Sequence, residues 1–388
     1  MSAKWWSMPG PSSYVDDIFQ ELREGKCIIA ALPDHVPEGL QTALRRQVYE
    51  DAIWAWHTLH ADDYEDSDPI ELLFALFAPN SQPGIARTAA SLAQQESFGC
   101  RLIRLDGLTR MTWEKWKRFI VEYSECIRNV PLVKRTLFLV VLTGETALYV
   151  PEQQVCLACH PWSNRVTFLD LQIYSALLVQ EWRASELEKA VSASVLASLA
   201  EWDPEVAIRI GEAGPVGLTD PLPILAQMSK DRRWRGENIK SPAWHTGMVN
   251  SVDGVEKIHS AALAARADSA AIARRVWRGQ VGVLLPFVDE RRVDLIGALR
   301  GSLVLPFPTR FRNESITDPY DLEIGHIHHQ LDRMIQASQD VHALVDCLYH
   351  IRTELSHLRP VDHRRLKQYE LTKWSEILGS IQTRPGVA

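Results

Sequence analysis

The chain has 388 residues, enough for two or three domains of ordinary size. Hydrophobic residues make up 46% and charged residues 23%, values close to the globular average, which exclude a disordered or fibrous class. A formal charge of −7 and a pI of about 6.0 exclude a protein whose whole surface grips nucleic acid, because phosphates are attracted by a positive field.

Targeting and redox signals are few. The start, MSAKWWSMPGPSSYVDD, lacks the apolar core of a signal peptide, and no apolar run reaches the roughly 18 residues that span a bilayer. We therefore expect a cytoplasmic protein without a membrane partner. Six cysteines, mostly isolated in apolar stretches, predict reduced core thiols. No cofactor and no metal are expected.

Residues 1–175 alternate apolar runs with helical patterns. Continuous apolar strands separated by helices imply a mostly parallel sheet that is covered on both faces. The sequence therefore predicts an α/β N-terminal domain followed by a largely α-helical C-terminal region. Strands are predicted at 27–32, 101–105, 136–142 and 166–171, and helices at 14–23, 40–59 and 112–126.

This order of elements resembles the core of P-loop NTPases, including STAND-like and AAA-like ATPases, over about the first 170 residues. The resemblance implies a phosphate-binding loop after the first strand, with glycines and a lysine, and an Mg²⁺-binding carboxylate after the most apolar strand. Residues 32–40 (LPDHVPEGL) instead contain two prolines, no lysine, and the acidic Asp34 and Glu38. Only Glu145 follows strand 136–142. The resemblance therefore implies a degenerate copy that does not hydrolyse ATP.

The middle region, residues 176–305, is predicted to be mainly helical, most clearly at 192–201 and 255–277. It contains a basic loop, residues 229–244, in which tryptophans lie among cations. These residues suit a phosphate backbone with a base stacked on an aromatic ring, whereas the alternative is a flexible basic linker. The predicted nucleic-acid-binding residues are Lys230, Arg232, Arg233, Trp234, Arg235 and Lys240.

The last region, residues 306–388, is predicted to hold two amphipathic helices that pack as an antiparallel pair. The first covers 322–337 and carries His326, His328 and His329, which diverge on a helix and therefore predict no metal site. The second ends before Pro360. Its apolar stripe consists of Val341, Leu344, Val345, Leu348, Ile351, Leu355 and Leu358.

Within the last helix, residues 348–360 (LYHIRTELSHLRP) resemble the final helix of HEPN domains, whose motif is an arginine, four to six residues, and a histidine. The resemblance implies a metal-independent endoribonuclease, usually paired across a dimer, in which Arg352 binds the scissile phosphate and His357 transfers protons. On a regular helix these two residues lie about 140° apart. The alternative is a noncatalytic module in which Arg352 pairs with a carboxylate and His357 is solvated.

A further motif, Cys156-Leu-Ala-Cys159-His160, matches the patterns of haem attachment and of redox cysteine pairs. Haem attachment needs an export signal, and a zinc site needs a second pair of ligands at similar spacing. Neither is found in the sequence, which favours a chance match.

The favoured hypothesis is a noncatalytic interaction or regulatory protein, resembling components of bacterial conflict or phage-defence systems. The first alternative is a HEPN endoribonuclease that uses Arg352 and His357. The second is a nucleic-acid-binding adaptor that uses residues 230–240. Expected partners are proteins, RNA or DNA, and a second copy of the chain.

Overall fold

The computed structural model describes residues 2–51, 54–81, 84–308, 315–331, 339–362 and 366. The strands are β1 Cys27–Leu32, β2 Ala55–His60, β3 Arg101–Asp106, β4 Leu137–Thr143, β5 Leu157–Pro161, β6 Val249–Val252, β7 Val255–Ile258, β8 Phe307–Pro308 and β9 Ser315–Ile316. The helices up to residue 200 are α1 Ser2–Trp5, α2 Pro9–Arg23, α3 Leu40–Asp51, α4 Pro69–Phe77, α5 Ala89–Ala93, α6 Arg110–Cys126, α7 Phe168–Val179 and α8 Glu186–Ala200. The later helices are α9 Pro204–Glu212, α10 Gly214–Thr219, α11 Leu222–Asp231, α12 Glu237–Lys240, α13 Ser260–Ala265, α14 Ser269–Leu299, α15 Ile324–Leu331 and α16 Gln339–Ser356.

The N-terminal half contains a five-stranded sheet in the order β2-β3-β4-β1-β5, in which every neighbouring pair is parallel. Every residue of β1 is buried, and so are the first six residues of β4. Strands that are covered on both faces carry continuous apolar sequence, as in CIIAAL and LFLVVL. The predicted fold class, an α/β domain followed by a largely helical region, is confirmed.

Three predicted elements were wrong. The predicted helix 40–59 ends at Asp51, and Ala55–His60 forms β2, where Trp56 and Thr58 suit an extended strand. Residues 255–258 form β7, because Asp253 and Gly254 both adopt positive φ and make the tight turn of a β6–β7 hairpin.

The predicted strand 166–171 was also wrong, since most of it lies in α7. Asp170 is buried there, where it accepts hydrogen bonds from the backbone N–H groups of Thr167 (2.7 Å) and Gly10 (2.8 Å). These bonds fix the first turn of the helix. The fifth strand lies earlier in the chain, at Leu157–Pro161.

The chain divides into two compact units. Unit 1 contains Met1–Asp170, Glu201–Pro204 and Ser229–Ala262, and unit 2 contains Leu171–Ala200, Glu205–Met228 and Leu263–Ala388. The basic loop therefore belongs to the same unit as the parallel sheet. The division of the sequence into 1–175, 176–305 and 306–388 stays a prediction.

Unit 2 is helical. Gly279 of α14 lies against α8, where a Cβ atom would stand 2.5 Å from the Cα of Val195. Gln280 exchanges two hydrogen bonds with the backbone of Val361, at 2.8 and 2.7 Å. α15 and α16 pack together as the predicted pair, although residues 332–337 of the first predicted helix lie outside the described residues. Among the described helices, none combines the length and the apolarity needed to cross a membrane.

Candidate functional site

The carboxyl ends of β1 and β4 are adjacent, because the register pairs Leu32 with Thr143. Ligands of open parallel sheets bind outside such strand ends. Residues 33–39 join β1 to α3 there, and the Asp34 carboxylate lies against Gly144, the first residue after β4. Gly144 has a φ of +60°, and a Cβ atom at this position would collide with that carboxylate.

The polar backbone groups of this loop contact other parts of unit 1. The N–H of Asp34 donates to the carbonyl of His245 at 2.8 Å, and the carbonyl of Glu38 accepts from the Trp6 indole at 2.7 Å. Pro33 and Pro37 have no N–H to offer. The loop is therefore fixed by protein contacts at two points.

We call residues 229–247 the strap, since they lie across this loop. The ring of Trp234 meets the ring of His35 edge-on at 5.6 Å, and its indole N–H donates to the carbonyl of Thr246 at 3.2 Å. Gly247, with a φ of +75°, lies beside the indole ring of Trp234 and the Cβ and backbone N of His35. Burial, and to a lesser extent the positive charge of Arg232, lower the pKa of His35 below its ordinary value. A neutral His35 therefore packs against the strap at neutral pH.

A buried ion cluster holds the strap at its start. Nη2 of Arg232 lies 2.6 Å from Oδ2 of Asp203, and Nε2 of His259 lies 2.9 Å from the same oxygen. The N–H of Ala261 donates to Nδ1 of His259 at 3.0 Å, which assigns the ring proton to Nε2. All three side chains are buried. Since both ring nitrogens are engaged, His259 has no lone pair free for general-base catalysis.

The six predicted nucleic-acid-binding residues all lie in the strap, and they fall into a buried group and an exposed group. Arg232 is in the ion cluster and Trp234 is only 5% exposed, so neither can reach a phosphate or a base in this conformation. The exposed group consists of Lys230, Arg233, Arg235 and Lys240. A base therefore cannot stack on Trp234 as predicted, because the faces of its ring are not accessible.

In unit 2, Arg352 is paired with the carboxylate of Glu323, just before α15. His357 lies one residue beyond the end of α16, and its side chain is exposed. The two residues of the predicted motif thus have different surroundings: Arg352 pairs with Glu323, and His357 faces solvent. This is the arrangement that the noncatalytic alternative predicts.

The histidines of α15 lie in two different surroundings. Nε2 of His328 lies 2.7 Å from a carboxylate oxygen of Asp346, and its ring stacks on Tyr349 at 4.8 Å. His326 and His329 instead face Phe307, with ring centroids 5.1 and 6.3 Å away. Across the part of the chain that the structure describes, no group of three or more His, Cys, Asp or Glu side chains is arranged to hold a metal ion.

The cysteine motif falls on and beside β5, and all six cysteines of the chain are free thiols. Burial is the main cause that raises the pKa of Cys159, to about 11. A thiol of that kind is protonated at neutral pH and is a weak nucleophile and metal ligand. Neither the redox nor the zinc interpretation is supported.

A polar cluster was not predicted from the sequence, because residues 55–59 were assigned to a helix and no strand was predicted to end at His60. At the carboxyl ends of β2 and β3, Nδ1 of His60 lies 2.6 Å from Oδ1 of Asp106, out of line for a well-formed hydrogen bond, and Arg104 lies 2.7 Å from Oδ2. The Asp203 cluster was missed too. Its members lie 27 to 56 residues apart in the chain, so no local spacing could have joined them.

Comparison with known proteins identifies no relative. No protein-family description, no curated protein and no solved structure matches this chain significantly. Functional arguments therefore rest on its own residues.

Proposed function

We propose that this chain is a noncatalytic interaction or regulatory component, built on a degenerate P-loop-like domain in unit 1. One observation carries the proposal: the N–H of Asp34, among the first donors after β1, is already bonded to the His245 carbonyl of the strap. A phosphate loop works through free backbone N–H groups that point at the phosphates. Here the donor is used by the protein itself.

The acidic residues around this loop also disfavour a bound nucleotide. A bound triphosphate would meet the carboxylate of Asp34 at the loop and that of Glu145 just after β4. Glu145 is paired with Arg110 at 3.3 Å. No lysine lies in residues 32–40 to offset the phosphate charge. The residues present do not fit a nucleotide with its Mg²⁺, so no catalytic step is assigned to this end of the sheet.

For the C-terminal helices, we propose that the HEPN-like segment is a noncatalytic interaction module. The ion pair of Arg352 with Glu323 supports it, because the guanidinium is already neutralised by a carboxylate. The resemblance implies a setting in bacterial conflict or phage defence, with protein partners.

Calorimetry with Mg²⁺-ATP tests the N-terminal part of the proposal. We expect no heat of binding from the wild type, and none from Trp234→Ala, in which the strap has lost its aromatic contact with His35. Heat from Trp234→Ala alone would mean that the strap covers a competent nucleotide site. Saturable heat from the wild type would overturn the degenerate assignment altogether.

A second candidate, a nucleic-acid-binding adaptor, is favoured by the exposure of Lys230, Arg233, Arg235 and Lys240. Because these residues offer charge without an exposed aromatic ring, binding would follow the phosphate backbone and not the base sequence. Single-stranded RNA binding should fall steeply with salt and weaken in Arg233→Ala/Arg235→Ala. Absent or salt-insensitive binding would remove this candidate.

A further inference from the structure

β2 is an edge strand of the five-stranded sheet, with β3 on its inner side. The N–H of Ala55 donates to the carbonyl of Cys100 at 3.0 Å, so the peptide groups of Ala55 face inward. Alternate residues of a strand direct their peptide groups to opposite sides. Those of Trp56 and Thr58 therefore point away from the sheet, and no described residue is bonded to them.

The opposite edge is protected. Leu157 of β5 exchanges two backbone hydrogen bonds with Gln154, at 3.0 and 3.2 Å, and the carbonyl of Cys159 accepts from the side chain of Gln153. Pro161, the last residue of β5, has no N–H. The segment 153–154 thus covers the outer side of β5, which is how proteins prevent another strand from adding to an edge.

Among the described residues, none of these devices is found at β2. Its sequence, AWHTLH, contains no lysine, no acidic residue and no proline, and Ala55, Thr58 and His60 are exposed. Protected edges carry charges, prolines, bulges or a covering segment, and an unprotected edge pairs readily with another strand. β2 is therefore open to pairing.

We propose that two copies of this chain pair through β2, antiparallel and across a two-fold axis, to give a continuous ten-stranded sheet. In an antiparallel ladder, outward-facing residues must lie opposite outward-facing residues. With the axis at Thr58, Thr58 faces its own copy and Trp56 faces His60 of the second chain. A threonine pair and an aromatic pair are both favourable cross-strand neighbours. The strand is therefore complementary to itself, and a second copy is the occupant that it fits.

The proposal is tested by sedimentation of the full chain. We expect the wild type to dimerise and Thr58→Lys to dissociate at least about tenfold more readily, because like charges would lie directly opposite each other. Thr58→Glu should behave in the same way. An equimolar mixture of the two variants should recover the dimer, since the axis then pairs lysine with glutamate.

Two controls guard against misfolding. Thr58→Pro removes only an outward N–H, leaves the β2–β3 ladder intact and should give a monomer with unchanged circular dichroism. Met111→Lys, at a position 82% exposed on α6, should remain dimeric. A wild type that stays monomeric at its highest soluble concentration would overturn the proposal. So would a dimer that Thr58→Lys leaves intact, or variants that fail to recover on mixing.

Discussion

Two arginines in different surroundings show how burial changes the meaning of an ion pair. Arg232 in unit 1 is bonded to Asp203, and both side chains are less than a tenth exposed. Arg352 in unit 2 is bonded to Glu323, but the two side chains are 39% and 52% exposed. Water and salt screen the second pair, whereas removing one partner of the first leaves a charge in the protein interior. The first pair is thus structural, and the second contributes little to stability.

The largest effect should follow from breaking the buried pair. We expect Arg232→Ala to lower the free energy of unfolding by roughly 3–5 kcal/mol, because Asp203 would stay buried without its guanidinium. Urea denaturation followed by tryptophan fluorescence measures this. The adjacent and exposed Arg233→Ala is the matched control and should change stability by no more than about 0.5 kcal/mol. Equal effects of the two substitutions would contradict the difference in burial.

A smaller effect is expected at Gly144, in the crowded contact with Asp34. An alanine with a φ of +60° costs about 1–2 kcal/mol, to which the collision with the carboxylate adds. The control in unit 2 is Gly282→Ala in α14, where a Cβ would meet nothing within 4 Å. That change should stabilise by about 0.5–1 kcal/mol, because alanine favours the helix. Thermal unfolding of both variants measures the two effects. Destabilisation by Gly282→Ala would contradict the expectation that only the glycine at positive φ is required.

His160 is a further buried polar side chain of unit 1: it is 7% exposed, and no described residue hydrogen-bonds its ring nitrogens. Burial lowers its pKa, an effect only partly opposed by Glu21 and Asp17 and reinforced by Arg165 and Lys26. The unfolded chain therefore takes up a proton at higher pH than the folded protein does. Stability should fall as the pH drops below the ordinary histidine value of about 6.5, by at most about 1.4 kcal/mol per pH unit.

Urea titrations between pH 7.5 and 5 measure this slope. His160→Gln should flatten it, although His35, His57 and His326 have pKa values lowered in the same direction and will leave a residual slope. A wild type and a variant with identical slopes would mean that His160 does not titrate in this range.

The smallest effect should come from the exposed pair. Arg352→Ala is expected to cost about 0–1 kcal/mol. The proposed noncatalytic role also predicts that wild type, Arg352→Ala and His357→Ala all leave labelled single-stranded RNA intact in EDTA. Cleavage by the wild type that disappears in both variants would instead establish the endoribonuclease alternative.

Much of the parallel sheet followed from local sequence. The runs that became β1 and β4 are apolar at nearly every position, which is the pattern of a strand covered on both faces. α16 was equally clear, because its buried residues recur at three- and four-residue steps. β2 was missed because it lies at an edge, where exposed residues such as Thr58 and His60 give no continuous apolar run.

For the candidate sites, too, the sequence determined some features and only the tertiary structure decided others. The sequence alone determined that the loop after β1 contains no lysine and that two of its residues, Pro33 and Pro37, have no N–H to donate. Only the tertiary structure decided that Arg232 and Trp234 are buried and that Arg352 meets Glu323. These contacts join residues distant in the chain, and an arginine has the same local pattern whether it faces water or a buried carboxylate. Burial depends on which segments pack together, and that is fixed by the fold as a whole.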